Sequence, residues 1–594
     1  MPRGYVLDVA SERMLCEHCE VPLRVRWTCS RHPLGILLGE PHLRHHVKGC
    51  PRCKRVYRYE HIDMLVPPAA NYAYDVVAEV GKGRFLQHWQ SPQITQRFAE
   101  EHERDLPSGD IHHLAHAFLD GLAAVHEQHS ESIAALIRCN GGWVCHLDGT
   151  CEAGTEVLFA IIDELTGLTL GTARMPTENA KDIQQLVDHC VQRFGPPLSV
   201  MRDLSTNIER AVSHLPTSVR HLICQYHFLQ NVGESLTDKP HRELTKRLRQ
   251  AKICGRLRSL RCDLVRYSKG SAPITAAQFE ELLEAPRCAL RLNVVQLRRY
   301  VAYFLLRWVD DYPADLAGER FPFDQPSLVL YYRCAKLHNI LHHLLTERPE
   351  LSHAQPTLVT VCKALAPVHD HSGLNTAAQR LQKAVDLFTE LREALRFKRQ
   401  DGSAVRRDRE PGFSPQIALE TEERLAALRD RLNTLITPGN GPETKHDAQI
   451  IIDYLDRYGN KLSGHLIELP GKGNSVLVDR TNAISEQRFS NLKTGWRRRL
   501  GTKKLARQLQ AARHEELLVA NLANEQYVQA VYGGKLGNLP DRFAHAAREA
   551  QQRRRERRNA SDQHAIPVAR KTLRRPHIIR RVAGMLTKLA ACLT

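Results

Sequence analysis

Residues 141–152 read GGWVCHLDGTCE, a short apolar run that stops at Asp148 and passes into Gly-Thr. Trp143, Val144, Cys145 and Leu147 suit a buried strand of an α/β sheet. A carboxylate at the end of such a strand stands where the sheet opens to a ligand. Aspartate before glycine is also a common turn pair. Two distant residues give Asp148 company: Asp203, which ends the apolar run PLSVMRD at 197–203, and Glu486 in RTNAISEQRFSNLK. Three carboxylates in these settings suggest a metal-dependent site acting on phosphodiesters.

Outward from this stretch the pattern is strand, strand, strand, helix, strand, helix, strand. EVLFAIIDEL (156–165) and LTLGTARM (168–175) flank Thr166-Gly167, a hairpin-like turn. ENAKDIQQLVDHCVQRFG (178–195) reads as an amphipathic helix with Gly195 just past its end. Thr206 and Glu209 are spaced as a capping box after Asp203. VRHLICQYHF (219–228) is expected as the last strand, carrying Cys224-x2-His227. Three antiparallel-capable strands followed by alternating helices and strands are the order of a ribonuclease-H-like fold. Further on, residues 480–504 read as a helix that sets Glu486, Ser490, Lys493 and Arg497 on one face. A carboxylate there can hold metal while Lys493, Arg497, Arg498, Lys503 and Lys504 hold phosphates. Asp453, Asp456 and Asp479 are rival candidates for the third carboxylate.

Ahead of this core, five of the 16 cysteines crowd into residues 16–53. Cys16-x2-Cys19 and Cys50-x2-Cys53 are two thiolate pairs of the kind that close a tetrahedral Zn²⁺ site. The simplest ligand set is Cys16, Cys19, Cys50 and Cys53. The alternative is Cys16, Cys19, Cys29 and His32, leaving the last pair for a second ion with His42, His45 or His46. Residues 75–126 suggest a helix-turn-helix or a plain helical hairpin. One helix starts at Ser91-Pro92; Ser108 can cap the next, whose Ile111, Leu114, Phe118, Leu122 and Val125 recur at helical spacing. His112, His113 and His116 fall on its polar side, where they can face a DNA groove.

Residues 235–470 read as nearly all helix, with Leu381, Val385, Phe388, Leu391 and Leu395 in register and residues 398–414 as a charged linker. Between Arg548 and Arg581, twelve Lys/Arg face three acids, as in a solvated nucleic-acid-binding arm. Net charge over the 594 residues is +18, which calls for a polyanionic partner. No apolar run approaches the ~20 residues that span a bilayer, and the N-terminus lacks a signal-peptide core. Clustered cysteines of metal-ligand spacing suit a reducing compartment, so an intracellular protein is expected.

The blocks HLDGTCE, SVMRDLSTNIERAV, ICQYHFLQNVG and RTNAISEQRFSNLKTGWRRRLGTKK resemble, in order and context, the DDE transposases of bacterial insertion sequences, related to the Mutator-like superfamily. The resemblance covers residues 15–520. It implies that Asp148, Asp203 and Glu486 bind Mg²⁺ or Mn²⁺ and that Cys224 and His227 match a CxxH element. It further implies that the protein acts on transposon ends and target DNA, as a homo-oligomer in the bacterial cytoplasm on the nucleoid. The expected division is a zinc-ribbon-like DNA-binding domain (1–70), a helix-turn-helix domain (71–135) and a ribonuclease-H-like mixed-sheet core (136–234 and 471–530). That core is interrupted by an all-α insertion (235–470) and followed by a basic tail (531–594). Two other readings share these features: a non-catalytic DNA-binding regulator descended from such an enzyme, and a nuclease without strand transfer.

Overall fold

The computed structural model describes residues 3–68, 70–267, 294–354, 356–371, 373–397 and 414–564. The charged linker at 398–413 and the basic stretch from 565 onward lie outside the described residues. The chain divides into two compact units. The first is Met1–Arg220 with Leu469–Asn474 and Ile484–Thr594; the second is His221–Glu468 with Ser475–Ala483.

The first unit is mixed α/β. At its N-terminal end β1 (Arg3–Ala10), β2 (Arg24–Arg31), β3 (Glu40–Gly49) and β4 (Val56–Tyr57) form a small sheet around β3. Its larger sheet begins with β5 (Val144–Thr150), β6 (Val157–Asp163) and β7 (Thr169–Met175), which run antiparallel in sequence. β8 (Ser199–Arg202) then lies parallel to β5. The strand order is β7-β6-β5-β8, extended by β9 (Arg220–Ile223), through which the chain leaves the first unit. Every residue of β6 is buried, as a strand covered on both faces requires. The hairpin after β6 turns at Thr166-Gly167, where Asp163 accepts from the Thr166 amide and hydroxyl and Gly167 takes φ +71°. The helix Ala180–Phe194 is capped by Asn179 and stopped by Gly195 at φ +79°.

Four local expectations are corrected. β5 does not end at Asp148: antiparallel pairing with β6 carries it through Gly149 and Thr150, beyond the point where its parallel neighbour β8 stops. The cap of the Thr206–Val212 helix is Ser205, whose Oγ accepts from the Ile208 amide, and Glu209 instead receives the buried Arg202 guanidinium at 2.8 Å. Cys224 and His227 are not on a strand. β9 ends at Ile223, Cys224 is the residue before the Gln225–Gln250 helix, and His227 is in its first turn. Ser108 caps nothing; Asp110 precedes the Ile111–Gln128 helix, and its carboxylate receives the Tyr72 hydroxyl.

The helices Tyr74–Gly81, Ser91–His102 and Ile111–Gln128 exist where the periodicity puts them. The third is a core helix along most of its length. Leu114, Phe118, Leu122 and Val125 are buried in the same apolar core as Leu147, Phe159 and Ile161 of the large sheet and Leu539 and Phe543 near the C-terminus. Gly81 lets Tyr74–Gly81 approach it, since a Cβ there would lie 2.0 Å from the Phe118 ring. Such a helix has no free face along its middle to enter a groove; its exposed residues are His112 and His113 at its start and Gln128 at its end. The expected solvated arm is likewise docked at its beginning. Arg553 pairs with Glu127 at 3.2 Å and Arg554 with Asp120 at 2.7 Å, and Ala550 is buried.

Among the described residues, the second unit is helical apart from the two short strands Leu466–Glu468 and Ser475–Leu477 and the β9 segment. Leu381, Leu391 and Leu395 are fully buried and Phe388 nearly so, on the face their spacing sets out.

Candidate carboxylate site and cysteine cluster

Asp148 and Asp203 come from neighbouring parallel strands. β5 and β8 pair Val144 with Ser199, Cys145 with Val200 and His146 with Met201, and the same offset relates Asp148 to Asp203. Adjacent strands lie about 4.8 Å apart, so the register sets the two carboxylate-bearing positions side by side at the carboxyl end of the pair. Both residues are half-buried. Arg202 donates to the Asp203 carbonyl at 2.9 Å while bound to Glu209, which pins the chain at the strand end. Asp203 Oδ1 accepts the Ser205 amide at 2.8 Å, and Asp148 Oδ1 accepts the Gly149 amide at 2.8 Å. Position 149 has no room for a side chain, because a Cβ would come 2.8 Å from Val157.

Glu486 sits half-buried in the first turn of the Ala483–Leu500 helix. Phe489 and Trp496 on that helix pack with Leu158, Ala160 and Ile162 of β6. Asp148 is paired directly with Ala160, so it points to the sheet face that this helix covers. The helix is oriented by its flanks. On one side Arg488 donates to the Gly167 carbonyl of the β6–β7 turn at 2.6 Å. On the other, Lys493 approaches Glu152, just past β5, at 3.8 Å. At about 100° per residue Glu486 shares the Lys493 flank, the one turned toward β5 and β8 rather than β7. All three carboxylate positions therefore lie on one face of the large sheet within the first unit. Hard oxygen donors of this kind suit Mg²⁺ or Mn²⁺.

Of the rival acids, Asp453 and Asp456 are exposed on the Pro442–Tyr458 helix of the second unit, accepting from Gln449 at 2.7 Å and from Arg429 at 2.5 Å. Asp479 belongs to the Ser475–Ala483 segment of the same unit. Arg497, Arg498, Lys503 and Lys504 are exposed, whereas Lys493 is half-buried against Glu152. In the second unit the buried Cys224 Sγ receives the Asn482 amide at 3.3 Å, and the half-buried His227 ring stands edge-on to Tyr226. Glu152 was within the quoted stretch but carried no signal, since an acid two residues past a strand is ordinary.

The cysteines assemble independently. Cys16, Cys19, Cys50 and Cys53 bring their four sulfurs within 4.8 Å of one another. The two loops that carry them are built alike. Cys16 N–H donates to the Val21 carbonyl and Glu20 N–H to the Cys16 carbonyl; Cys50 N–H donates to Arg55 and Lys54 N–H to Cys50. Glu20 and Lys54, each following the second cysteine, take φ values of 54° and 61°. This is one knuckle made twice, and each turn keeps its pair of sulfurs on the inside. The Cys16–Cys53 separation is 3.5 Å, close to the roughly 3.8 Å edge of a tetrahedron with 2.3 Å metal–sulfur bonds. The Tyr57 hydroxyl, 3.2 Å from Cys16 Sγ, draws that thiol down to about 6, while burial and the other thiols push Cys19 up to about 12. Four thiolates so close need a cation to coexist. Cys29 and His32 are not part of this group.

Among the described residues, one other group of ligand atoms converges within 4.8 Å: Glu79, Glu101 and His102. Glu79 already pairs with Lys82 at 2.5 Å and Glu101 with Arg97 at 3.4 Å. Asp148, Asp203 and Glu486 do not form a third group at that spacing. No family model matches the chain, and no curated protein matches it either.

Proposed function

We propose that the protein is a DDE transposase that binds transposon ends and carries out Mg²⁺-dependent DNA cleavage and strand transfer on a ribonuclease-H-like core. The observation that carries this reading is the shared register of Asp148 and Asp203 on parallel β5 and β8, with Glu486 on the flank of the covering helix that turns toward them. A sheet of order β7-β6-β5-β8-β9, with its first three strands antiparallel and the fourth parallel to the first, supports the fold assignment. The mainly helical stretch before Leu466 supports the insertion.

Asp148, Asp203 and Glu486 would hold two Mg²⁺ ions, which would supply activation of a water or DNA 3′-hydroxyl and stabilisation of the leaving 3′ oxygen. The chain contributes the rest. Asp148 and Asp203 are held by strand pairing and by the Arg202–Glu209 brace, so little reorganisation accompanies substrate binding. The exposed Arg497 and Arg498, about three turns beyond Glu486, and Lys503 and Lys504, just past the helix end, supply phosphate contacts. Because no protein nucleophile is needed, one site serves cutting and joining. The four cysteines hold Zn²⁺ as a structural ion, for the donor set is all sulfur and leaves no open position.

The test uses the full chain with duplexes carrying the DNA that flanks its gene, in Mg²⁺. Asp148→Asn, Asp203→Asn and Glu486→Gln should each lower cleavage and strand transfer at least 10³-fold while end binding persists. Asp479→Ala should remain active. Activity surviving in all three carboxylate variants would remove the enzyme reading. Loss in Asp479→Ala with Glu486→Gln active would reassign the third ligand.

A further inference from the structure

The Ala483–Leu500 helix carries a second set of polar groups on the side away from Glu486. Arg488, Asn491 and Arg499 project well over 100° from it around the helix. There they line a cavity of about 210 Å³, together with His88 and the aromatic walls Phe85 and Trp496. Arg499 is only 4 % exposed, its Nε has no hydrogen-bond partner, and one terminal nitrogen reaches the Arg84 carbonyl at 3.4 Å. Among the described residues no ion pair engages Arg84, Arg488 or Arg499. Burial lowers the pKa of the Arg84 guanidinium to about 10, which leaves it cationic.

The one carboxylate on the wall is Glu516, and its oxygens are engaged by the Trp496 indole N–H at 2.9 Å and the Arg513 amide at 3.4 Å. Burial raises its pKa, while the Trp496 hydrogen bond and the charges of Arg499 and Arg84 act in the opposite sense, so one carboxylate faces more than one guanidinium. Buried cations outnumbering their counter-charges are costly unless an anion completes the site. His88 is held at the cavity deliberately. It takes the left-handed φ of 59°, and its ring lies where any side chain at Gly495 would come within 2.4 Å.

We propose that this cavity binds a small phosphate-bearing molecule of the mononucleotide class, its phosphate on Arg488, Arg499 and His88 and its planar ring against Phe85, with the buried Trp496 as the floor. Planar guanidinium groups match phosphate oxygens in pairs, and aromatic faces beyond them give a ring something to stack on. The half-open cavity admits a nucleotide-sized fragment and is too small for a duplex. This site is separate from the carboxylates and does not depend on the transposase reading.

The experiment is calorimetric titration and thermal melting of the full chain with AMP, inorganic phosphate and adenosine, at constant ionic strength and without added Mg²⁺. AMP should bind and raise the melting temperature, phosphate should bind at least tenfold more weakly, and adenosine more weakly still. Arg488→Gln and Arg499→Gln should each weaken AMP at least tenfold, whereas Asp148→Asn should bind it as the native chain does. If neither arginine variant folds, Asn491→Ala, on the exposed rim, should weaken AMP measurably. Absence of AMP binding by the native chain overturns the proposal. So does equal binding by the folded arginine variants (or by Asn491→Ala where they do not fold), loss of AMP in Asp148→Asn, or an Arg499-dependent response to duplex DNA alone.

Discussion

His126 shows what a single buried residue sets in this molecule. It is 3 % exposed, with Nε2 3.3 Å from the Leu170 carbonyl and Nδ1 3.1 Å from the Tyr527 hydroxyl. Nε2–H must donate to the carbonyl, so Nδ1 accepts from the tyrosine, and the ring is neutral. Burial pushes its pKa down to about 4 from 6.5. The unfolded chain therefore binds a proton that the folded chain refuses between these values. Stability is full above the unfolded pKa and falls as pH drops from 6.5 toward 4, by about 3 kcal/mol in all. Denaturant unfolding of the native chain and His126→Phe from pH 7.5 to 4.5 should show their stability difference shrinking by about 2 to 3 kcal/mol. A constant difference would mean that the ring is protonated in the fold. At the carboxylate site the same scale is legible differently: Asp148 and Asp203 announce themselves by ending apolar runs, while Glu152 and Tyr57 act through positions that no local pattern marks.

Among elements, the cysteine knuckles bear the clearest test. The Arg3–Gly49 sheet strands are joined through loops whose shape is the ligand geometry itself, and few buried side chains besides Leu43, Val47 and Cys50 support them. Cys16→Ser or Cys53→Ser should abolish bound Zn²⁺ in elemental analysis and expose residues 3–57 to amide exchange, with the large sheet still protected. Zinc content unchanged in both variants would show that the four sulfurs are not its ligands. The Ile111–Gln128 helix carries a different lesson. Its apolar spacing was readable, but spacing alone cannot tell a recognition helix from a core helix; the difference lies in what covers its other side, here Phe543 and the large sheet.

For the whole molecule, the core of the first unit runs from Leu34 to Ala550 and joins residues at both ends of the chain. A fragment of residues 1–135 would expose Phe118, Leu122 and Val125 and should not fold; circular dichroism and proteolysis would show a non-cooperative, rapidly cut chain. A sharply melting fragment would establish the independent N-terminal module that the shared core argues against. Net charge of +18 should make DNA affinity fall steeply with salt. Removing residues 565–594, which carry seven Lys/Arg and no Asp or Glu, should weaken all duplexes alike and flatten that dependence. Selective loss of only one duplex would assign sequence recognition to that segment.

The sequence by itself determined the strands around Asp148, the hairpin at Gly167, the helices at 91–102, 111–128 and 483–500, and the presence of two CxxC pairs. Each rests on contacts within a few residues: period, caps, glycine at positive φ and thiolate spacing. Tertiary structure alone decided which cysteines converge, that Ser205 rather than Thr206 caps its helix, and that Cys224 precedes a helix instead of lying on a strand. It alone joined residues 1–220 to 484–594 in one core. Only there could the β5–β8 register set Asp148 beside Asp203, and packing on β6 turn Glu486 toward them. Such placements depend on partners hundreds of residues away, whose identity no local period encodes.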